Sequence, residues 1–201
     1  MKLYYSPGAC SLSPHIVLRE AGADFTLVRV DLKAKKLEDG SDYLAVNPKG
    51  YVPALQLDNG ELLTEGPAII QYIADQHPAA GLAPAPGTLD RARLQEWLNM
   101  IATELHKSFT PMFRGAGDEW KNAALDNIRR RFDFVAQRLT THPFLMGERF
   151  SVADAYLFTV LSWTGFVKID MSPWPALQAF SQRVGERPAV QAALRAEGLL
   201  K

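Results

Sequence analysis

The chain has 201 residues, 22 of them basic and 22 acidic, and 47% are hydrophobic. That is enough chain for one or two domains with real cores, and the neutral balance argues against a nucleic acid or a membrane surface held by bulk charge. A single cysteine excludes an intrachain disulfide framework and fits a reducing compartment. No run approaches the ~20 apolar residues of a membrane span, and the N-terminal Met1-Lys-Leu-Tyr-Tyr-Ser-Pro7 lacks the long apolar core of a signal peptide. A cytoplasmic protein without nucleic-acid or membrane partners is therefore expected. His15, His77, His106 and His142 show no spacing that suggests zinc, and no metal is expected.

The first third alternates short strands and helices. Leu3–Tyr5 reads as a strand, followed by a helix from about Cys10 to Ala21 that Gly22 caps. Phe25–Val30 alternates and is rich in β-formers, so it is a second strand, and β-α-β order favours parallel pairing of the two. Lys33 to Asp42 is charged and reads as a loop or irregular helix. Ala54–Leu57 and Glu61–Thr64 flank Asp58-Asn59-Gly60, a hairpin signal. Glu65 to Ala74 is a helix with Ile69, Ile70 and Ile73 on one side. The order β-α-β then β-β-α is the thioredoxin-like arrangement.

The only cysteine lies where the first strand becomes the first helix. Unpaired N–H groups and the positive end of the macrodipole collect there, and both favour a thiolate over a thiol. Pro14 suits a first helical turn. A buried structural cysteine is the competing reading, since free Cys is among the most buried residue types; the flanking Pro7-Gly8 and Ser11 weigh against a plain core position.

Between His77 and Thr88 three prolines and two glycines in twelve residues mark a linker. The predicted domains are residues 1–78, a linker at 79–87, and a helical domain at 88–201. Leu94, Trp97, Leu98, Ile101 and Leu105 form one apolar stripe, while Asn99, Thr103, His106 and Thr110 recur on a polar side that either faces solvent or borders a site. A second long helix runs from about Glu119 to Thr140 with Leu125, Ile128, Phe132, Val135 and Leu139 inward. Ser151 and Asp154 make a capping-box pattern before a helix that is apolar nearly all round, with Tyr156, Leu157, Val160, Leu161 and Trp163. Final helices begin near Trp174 and Pro188.

Five features in this order resemble a glutathione transferase of the bacterial beta class, from end to end: Cys10-Ser11, Val52-Pro53 before a strand, Thr64-Glu65-Gly66 opening a helix, Glu104-Leu-His106-Lys107, and Phe150-Ser-Val-Ala-Asp-Ala155. The resemblance implies the cytosolic glutathione transferase fold, an α/β thioredoxin-like N-terminal domain plus an all-α C-terminal helical domain, and a homodimer. It implies a transferase that conjugates or reduces electrophiles, aromatic or chlorinated ones among them, with glutathione as co-substrate. The alternatives are a glutathione-dependent thiol–disulfide reductase resembling a monothiol glutaredoxin, with Ser13 where a resolving cysteine would stand, and a non-catalytic ligand-holding stress protein.

By the same resemblance Cys10, His106 and Ser11 carry the chemistry. Val52 lies before a cis Pro53 and offers its N–H and C=O to the peptide backbone of glutathione; locally, a trans proline at a strand edge is the commoner reading. Glu65 would hold the α-ammonium, the Gly66 N–H the α-carboxylate, and Lys35 the glycine carboxylate. At position 66 many relatives place Ser, whose hydroxyl Gly66 lacks. Asn99, Thr103, Glu104 and His106 would approach glutathione from the helical side, in a cleft between the domains. Phe109, Met112, Phe113 and Trp163 are candidate walls of the electrophile pocket, with ordinary core packing the competing reading for Trp163.

Overall fold

The computed structural model describes residues 1–200, and by contacts these divide into two compact units, residues 1–83 with 186–200 and residues 84–185. The first unit is built on a five-stranded sheet in the order β3-β2-β1-β4-β5, comprising β1 (Lys2–Tyr5), β2 (Thr26–Asp31), β3 (Lys36–Leu37), β4 (Ala54–Gln56) and β5 (Leu62–Thr64). β1 and β2 run parallel, with Leu3 opposite Leu27, and the other three pairings are antiparallel. The charged stretch after β2, read as loop or irregular helix, supplies the short edge strand β3.

The pleat sends neighbouring residues to opposite faces. Leu3 is paired with Leu55 and Tyr4 with Ala54. On the Tyr4 face a cluster forms with Val30, Tyr43, Val52 and Ala54. Helices α1 (Leu12–Glu20) and α2 (Gly66–Gln76) pack on each other and on the sheet. They bury Leu12, Ile16, Val17, Ile69, Ile70 and Ile73 completely. Gly22 ends α1 at φ +64°, and the Ala23 N–H returns to Leu18 C=O at 3.0 Å, the wrap expected of a glycine just past a helix. This β-α-β plus β-β-α unit is thioredoxin-like.

The last helix, α8 (Pro188–Ala196), was grouped by sequence with the helical half, 88–201. Its contacts correct that grouping: α8 packs on α1, and Arg187 grips Glu20 through two bonds of 2.6 and 2.8 Å. Amphipathic periodicity shows that a helix buries one face, not which partner it buries it against.

The second unit is helical: α3 (Leu89–Met100), α4 (Thr110–Phe113), α5 (Asp118–Thr141), α6 (Val152–Val167) and α7 (Pro175–Gly185). Ile128, Phe132, Val135 and Leu139 of α5 are buried as expected, whereas Leu125 is only half-buried and Ala124 is inside. Every residue of α6 from Val152 to Leu161 is buried. Asp154 at its start accepts from the Ser151 N–H, the Ser151 hydroxyl and the Leu145 N–H, each at 2.8 Å, which completes the capping box and ties in the preceding loop.

Between α3 and α4 the helix does not run through. Ile101–Leu105 forms a wide π turn and His106–Phe109 a tight 3-10 turn. Pro111 has no N–H to donate back to Lys107, so a regular helix cannot continue there. π turns concentrate at functional positions.

Candidate functional site

The first unit gathers Cys10, Ser11, Lys35, Val52, Pro53, Glu65 and Gly66 around the loops that follow β1 and precede β4. Pro7 and Gly8 form a tight turn with Gly8 at φ +70°, closed by Ala9 N–H to Ser6 C=O at 3.0 Å. Cys10 follows it, just ahead of the residue that caps α1, and its thiol donates to the Val52 carbonyl at 3.1 Å. Cys10 is half-buried, so its sulfur is neither a core position nor a freely solvated one. Ser11, expected beside the chemistry, is fully buried and closes the loop instead: it accepts from the Ser6 N–H and donates to the Ser6 carbonyl, both at 3.2 Å.

The Val52–Pro53 peptide is cis, in agreement with the resemblance and against the commoner local reading. Behind it, the Tyr51 carbonyl accepts from Tyr43 Oη at 2.9 Å and from Asn47 Nδ2 at 2.8 Å. Lys35 donates its ammonium to the Gly50 carbonyl. Gly50 sits at φ +67°, a conformation that favours glycine, and a Cβ there would meet the end of the Leu44 side chain at 2.9 Å in the turn that Lys35 covers.

Glu65 caps α2 with φ 70° and ψ 111°. For a residue with a Cβ this backbone is strained by about 1–3 kcal/mol, and such outliers persist where the surroundings hold them, often at functional sites. Here Lys49 Nζ and Tyr51 Oη both bond Glu65 Oε1, at 2.9 and 2.7 Å. The hydrogen bond to Glu65 raises the pKa of both Lys49 and Tyr51. Sequence reasoning passed over these two residues; the available signal was a lysine and a tyrosine one residue apart in the loop leading to Val52. Gly66 opens α2 beside Pro53, whose ring lies 3.8 Å from where a Gly66 Cβ would stand.

In the second unit the polar line runs from α3 into the π turn. Asn99 and Thr103 are exposed, and Thr103 spends its hydroxyl on Asn99 C=O at 2.9 Å. Glu104 is engaged by Arg131 through Nε and Nη2 at 3.1 and 2.7 Å. Its carbonyl accepts from Ser108 and Asn127. His106 Nδ1 lies 2.7 Å from Tyr156 Oη, and its ring packs edge-on against Trp163 with centroids 4.8 Å apart. Tyr156 was read only as core; a phenol in an otherwise apolar helix needs a polar partner, and that was the signal.

Of the candidate wall residues, Phe109 and Trp163 are buried and pack edge-on at 5.5 Å. Phe113 is 53% exposed and leans on both, and Met112 is half-buried. Phe109 and Trp163 thus form the backing, and Phe113 with Met112 the accessible layer. Among the described residues there is no cluster of His, Cys, Asp and Glu able to hold a metal ion, and no helix is long and apolar enough to cross a membrane.

The chain matches two family models, glutathione S-transferase N-terminal domain over residues 8–76 and glutathione S-transferase C-terminal domain over residues 94–188. It is 54% identical to the glutathione S-transferase GstA of Escherichia coli O157:H7, over 99% of this chain and 100% of that one. Among solved structures it is similar to a sphingomonad glutathione S-transferase complexed with glutathione, at 54% identity and a TM-score of 0.95, covering 99% of this chain and 100% of the other. It is equally similar to a bacterial beta class glutathione S-transferase of Sphingomonas chungbukensis, at 53% identity and a TM-score of 0.96 over 100% of both chains. Both domain models, in order on one chain, place this protein in the glutathione S-transferase family, and its full-length similarity to the beta class structure places it, within that family, in the beta class.

Proposed function

We infer that the chain binds glutathione and transfers it to a small electrophile, with Cys10 as a second reactive sulfur. Glutathione supplies the nucleophilic thiol. What this chain contributes is a set of positions: the main chain of Val52 for the peptide backbone of glutathione, Glu65 for its α-ammonium, the Gly66 N–H at the start of α2 for its α-carboxylate, and Lys35 for its glycine carboxylate. His106, oriented by Tyr156 and Trp163, is proposed as the hydrogen-bonding partner of a sulfur. Asn99, Thr103 and Glu104 form the polar side of the second unit, and Phe113 and Met112, backed by Phe109 and Trp163, are assigned to the electrophile. The observation that carries the reading is the Cys10 thiol on the Val52 carbonyl, with Glu65 held in a strained conformation at the head of the adjoining helix.

Two chemistries follow from an accessible cysteine beside a bound thiol: conjugation by the glutathione sulfur, and thiol transfer through a mixed disulfide on Cys10. Ser13 stands three residues on, where a dithiol enzyme has its resolving cysteine, so the chain by itself runs a monothiol cycle. Steady-state turnover of an aryl halide with glutathione, beside turnover of a glutathione mixed disulfide, separates the readings. Conjugation is expected, and inertness toward both substrates would leave only a ligand-holding protein.

Replacing Glu65 with Ala tests the orientation of the ligand. A charge-assisted bond to an ammonium contributes about 1.5–3 kcal/mol, so glutathione affinity should fall roughly ten- to a hundredfold. The side chains of Glu65 and Lys49 are 58% and 47% exposed, and such pairs contribute little to stability, so the fold should survive. Calorimetric affinity equal to that of the wild type would place the ammonium elsewhere.

We further propose a cytoplasmic homodimer. The exposed Phe134 of α5, 54% accessible and 5.7 Å from the half-buried Trp97 ring of α3, supports an apolar contact face. Sedimentation across the micromolar range should return two chains per particle; a monomer throughout would contradict this.

A further inference from the structure

Helix α8 ends with Gly198 at φ +72° and the Leu199 N–H returned to Leu194 C=O at 2.9 Å. This wrap leaves Glu197 just past the last turn with its side chain turned inward, and its carboxylate is fully buried. One oxygen lies 2.8 Å from Nδ1 of the equally buried His15, in the second turn of α1, and the other accepts from the Gly8 N–H at 2.9 Å. Arg19 donates from Nε to His15 Nε2 at 2.9 Å. Arginine only donates, so His15 Nε2 carries a lone pair and the ring proton sits on Nδ1, pointing at Glu197. The result is a closed chain, Arg19 to His15 to Glu197 to Gly8.

A buried carboxylate is costly to desolvate, and its partners offset that cost without a large surplus, so such a group is weak evidence for stability as such. What it fixes is an arrangement. Gly8 belongs to the turn that sets Cys10 down ahead of α1, and it lies outside the paired residues of β1, so the strand pairing does not determine its conformation. We propose that Glu197 is a positioning residue for Cys10: the last turn of the chain reaches back across 189 residues to hold the Ser6–Cys10 loop in the conformation that presents the thiol. Arg187 anchors the same segment to Glu20 at the far end of α1, which makes that pair an internal control. The proposal rests on the reading of Cys10 as the reactive thiol.

The test uses the full chain with Glu197→Gln and Arg187→Ala. A glutamine keeps the shape, but it replaces one of the two accepting oxygens with an amide that faces a donor. Hydrogen exchange of the amides in residues 6–11 should speed up at least about tenfold in Glu197→Gln, the scale of one charge-assisted hydrogen bond. Formation of the Cys10–glutathione disulfide from oxidised glutathione should slow by a similar factor, because it needs the docked geometry. Alkylation by iodoacetamide, a small reagent that needs no docking, should be no slower. Arg187→Ala should lower the melting temperature without changing loop exchange or adduct formation. A Glu197→Gln chain with loop exchange and adduct formation at wild-type rates overturns the proposal, whatever its melting temperature. A wild-type chain that forms no adduct overturns the reading of Cys10 instead, and loop exchange in Glu197→Gln then still decides whether Glu197 holds the loop.

Discussion

Cys10→Ala is expected to abolish thiol transfer while leaving part of the conjugating activity. In thiol–disulfide exchange the cysteine sulfur attacks one sulfur of the disulfide, that S–S bond breaks, and the other half leaves as a thiolate. Without Cys10 there is no attacking sulfur on the chain, and no other cysteine can replace it. Conjugation differs, because the bound glutathione brings its own nucleophile. The alanine removes the thiol that bonds Val52 C=O, but the Val52 main chain and the α2 N-terminus, proposed to hold glutathione, remain. Parallel assays of wild type and Cys10→Ala, with an aryl halide and with a glutathione mixed disulfide, measure the split. Equal and complete loss of both activities would show that Cys10 is indispensable to both chemistries.

The second large effect is structural. Asp154→Ala removes the acceptor for two buried backbone N–H groups and one buried hydroxyl. An unpaired buried donor costs about 1–3 kcal/mol, and three lose their acceptor together while Ser151, the capping residue, loses its capping-box partner, so the total should reach about 3–5 kcal/mol. For a chain of this length that is roughly a 10 °C fall in melting temperature. A shift within about 2 °C would mean that water replaces the carboxylate and that Asp154 is not a keystone of the second unit.

The same residue gives the sign of a pH effect. Burial raises the Asp154 pKa to about 6 from the ordinary 3.8, against the pull of its hydrogen bonds. The folded chain therefore holds this proton more tightly than the unfolded chain. The stabilisation linked to that proton is complete below about pH 4 and is lost as pH rises to about 6, by roughly 3 kcal/mol. Asp154→Asn does not titrate, so the difference in unfolding free energy between wild type and this variant should move toward the variant by that order between pH 4 and 6. A difference independent of pH would place the Asp154 pKa in the ordinary carboxylate range.

Much of this architecture was legible because it depends on local period and local stops. Strand β1, the parallel β1–β2 pair, the hairpin at Asp58–Gly60 and the apolar faces of α2 and α5 follow from alternation, helical spacing and glycine placement. Three features were not, each because its cause lies far along the chain or in a small energy difference. The Val52–Pro53 peptide could not be read as cis from its neighbours, since the two isomers lie within about 1 kcal/mol. The π turn at Ile101–Leu105 lies inside a stripe that reads as regular helix; Leu94, Leu98, Ile101 and Leu105 stay buried, Asn99 and Thr103 are exposed, and His106 meets Tyr156. The attachment of α8 depends on Glu197 and Arg187, whose partners stand 182 and 167 residues away. Of the proposed site, Cys10, Glu65 and Gly66 stand out in the sequence. Its supporting contacts, Lys49 and Tyr51 on Glu65, Arg131 on Glu104 and Tyr156 on His106, carry no periodic signal.

The claim on which the account turns is that Cys10 is a reactive thiol at a glutathione site, not a structural cysteine. Intact mass measured after incubation with oxidised glutathione tests it most directly. The wild-type chain should gain one glutathione per chain, dithiothreitol should remove it, and Cys10→Ala should gain none. A wild-type chain that takes up no glutathione, with Cys10 also resistant to alkylation at neutral pH, would contradict the account and return Cys10 to a structural role.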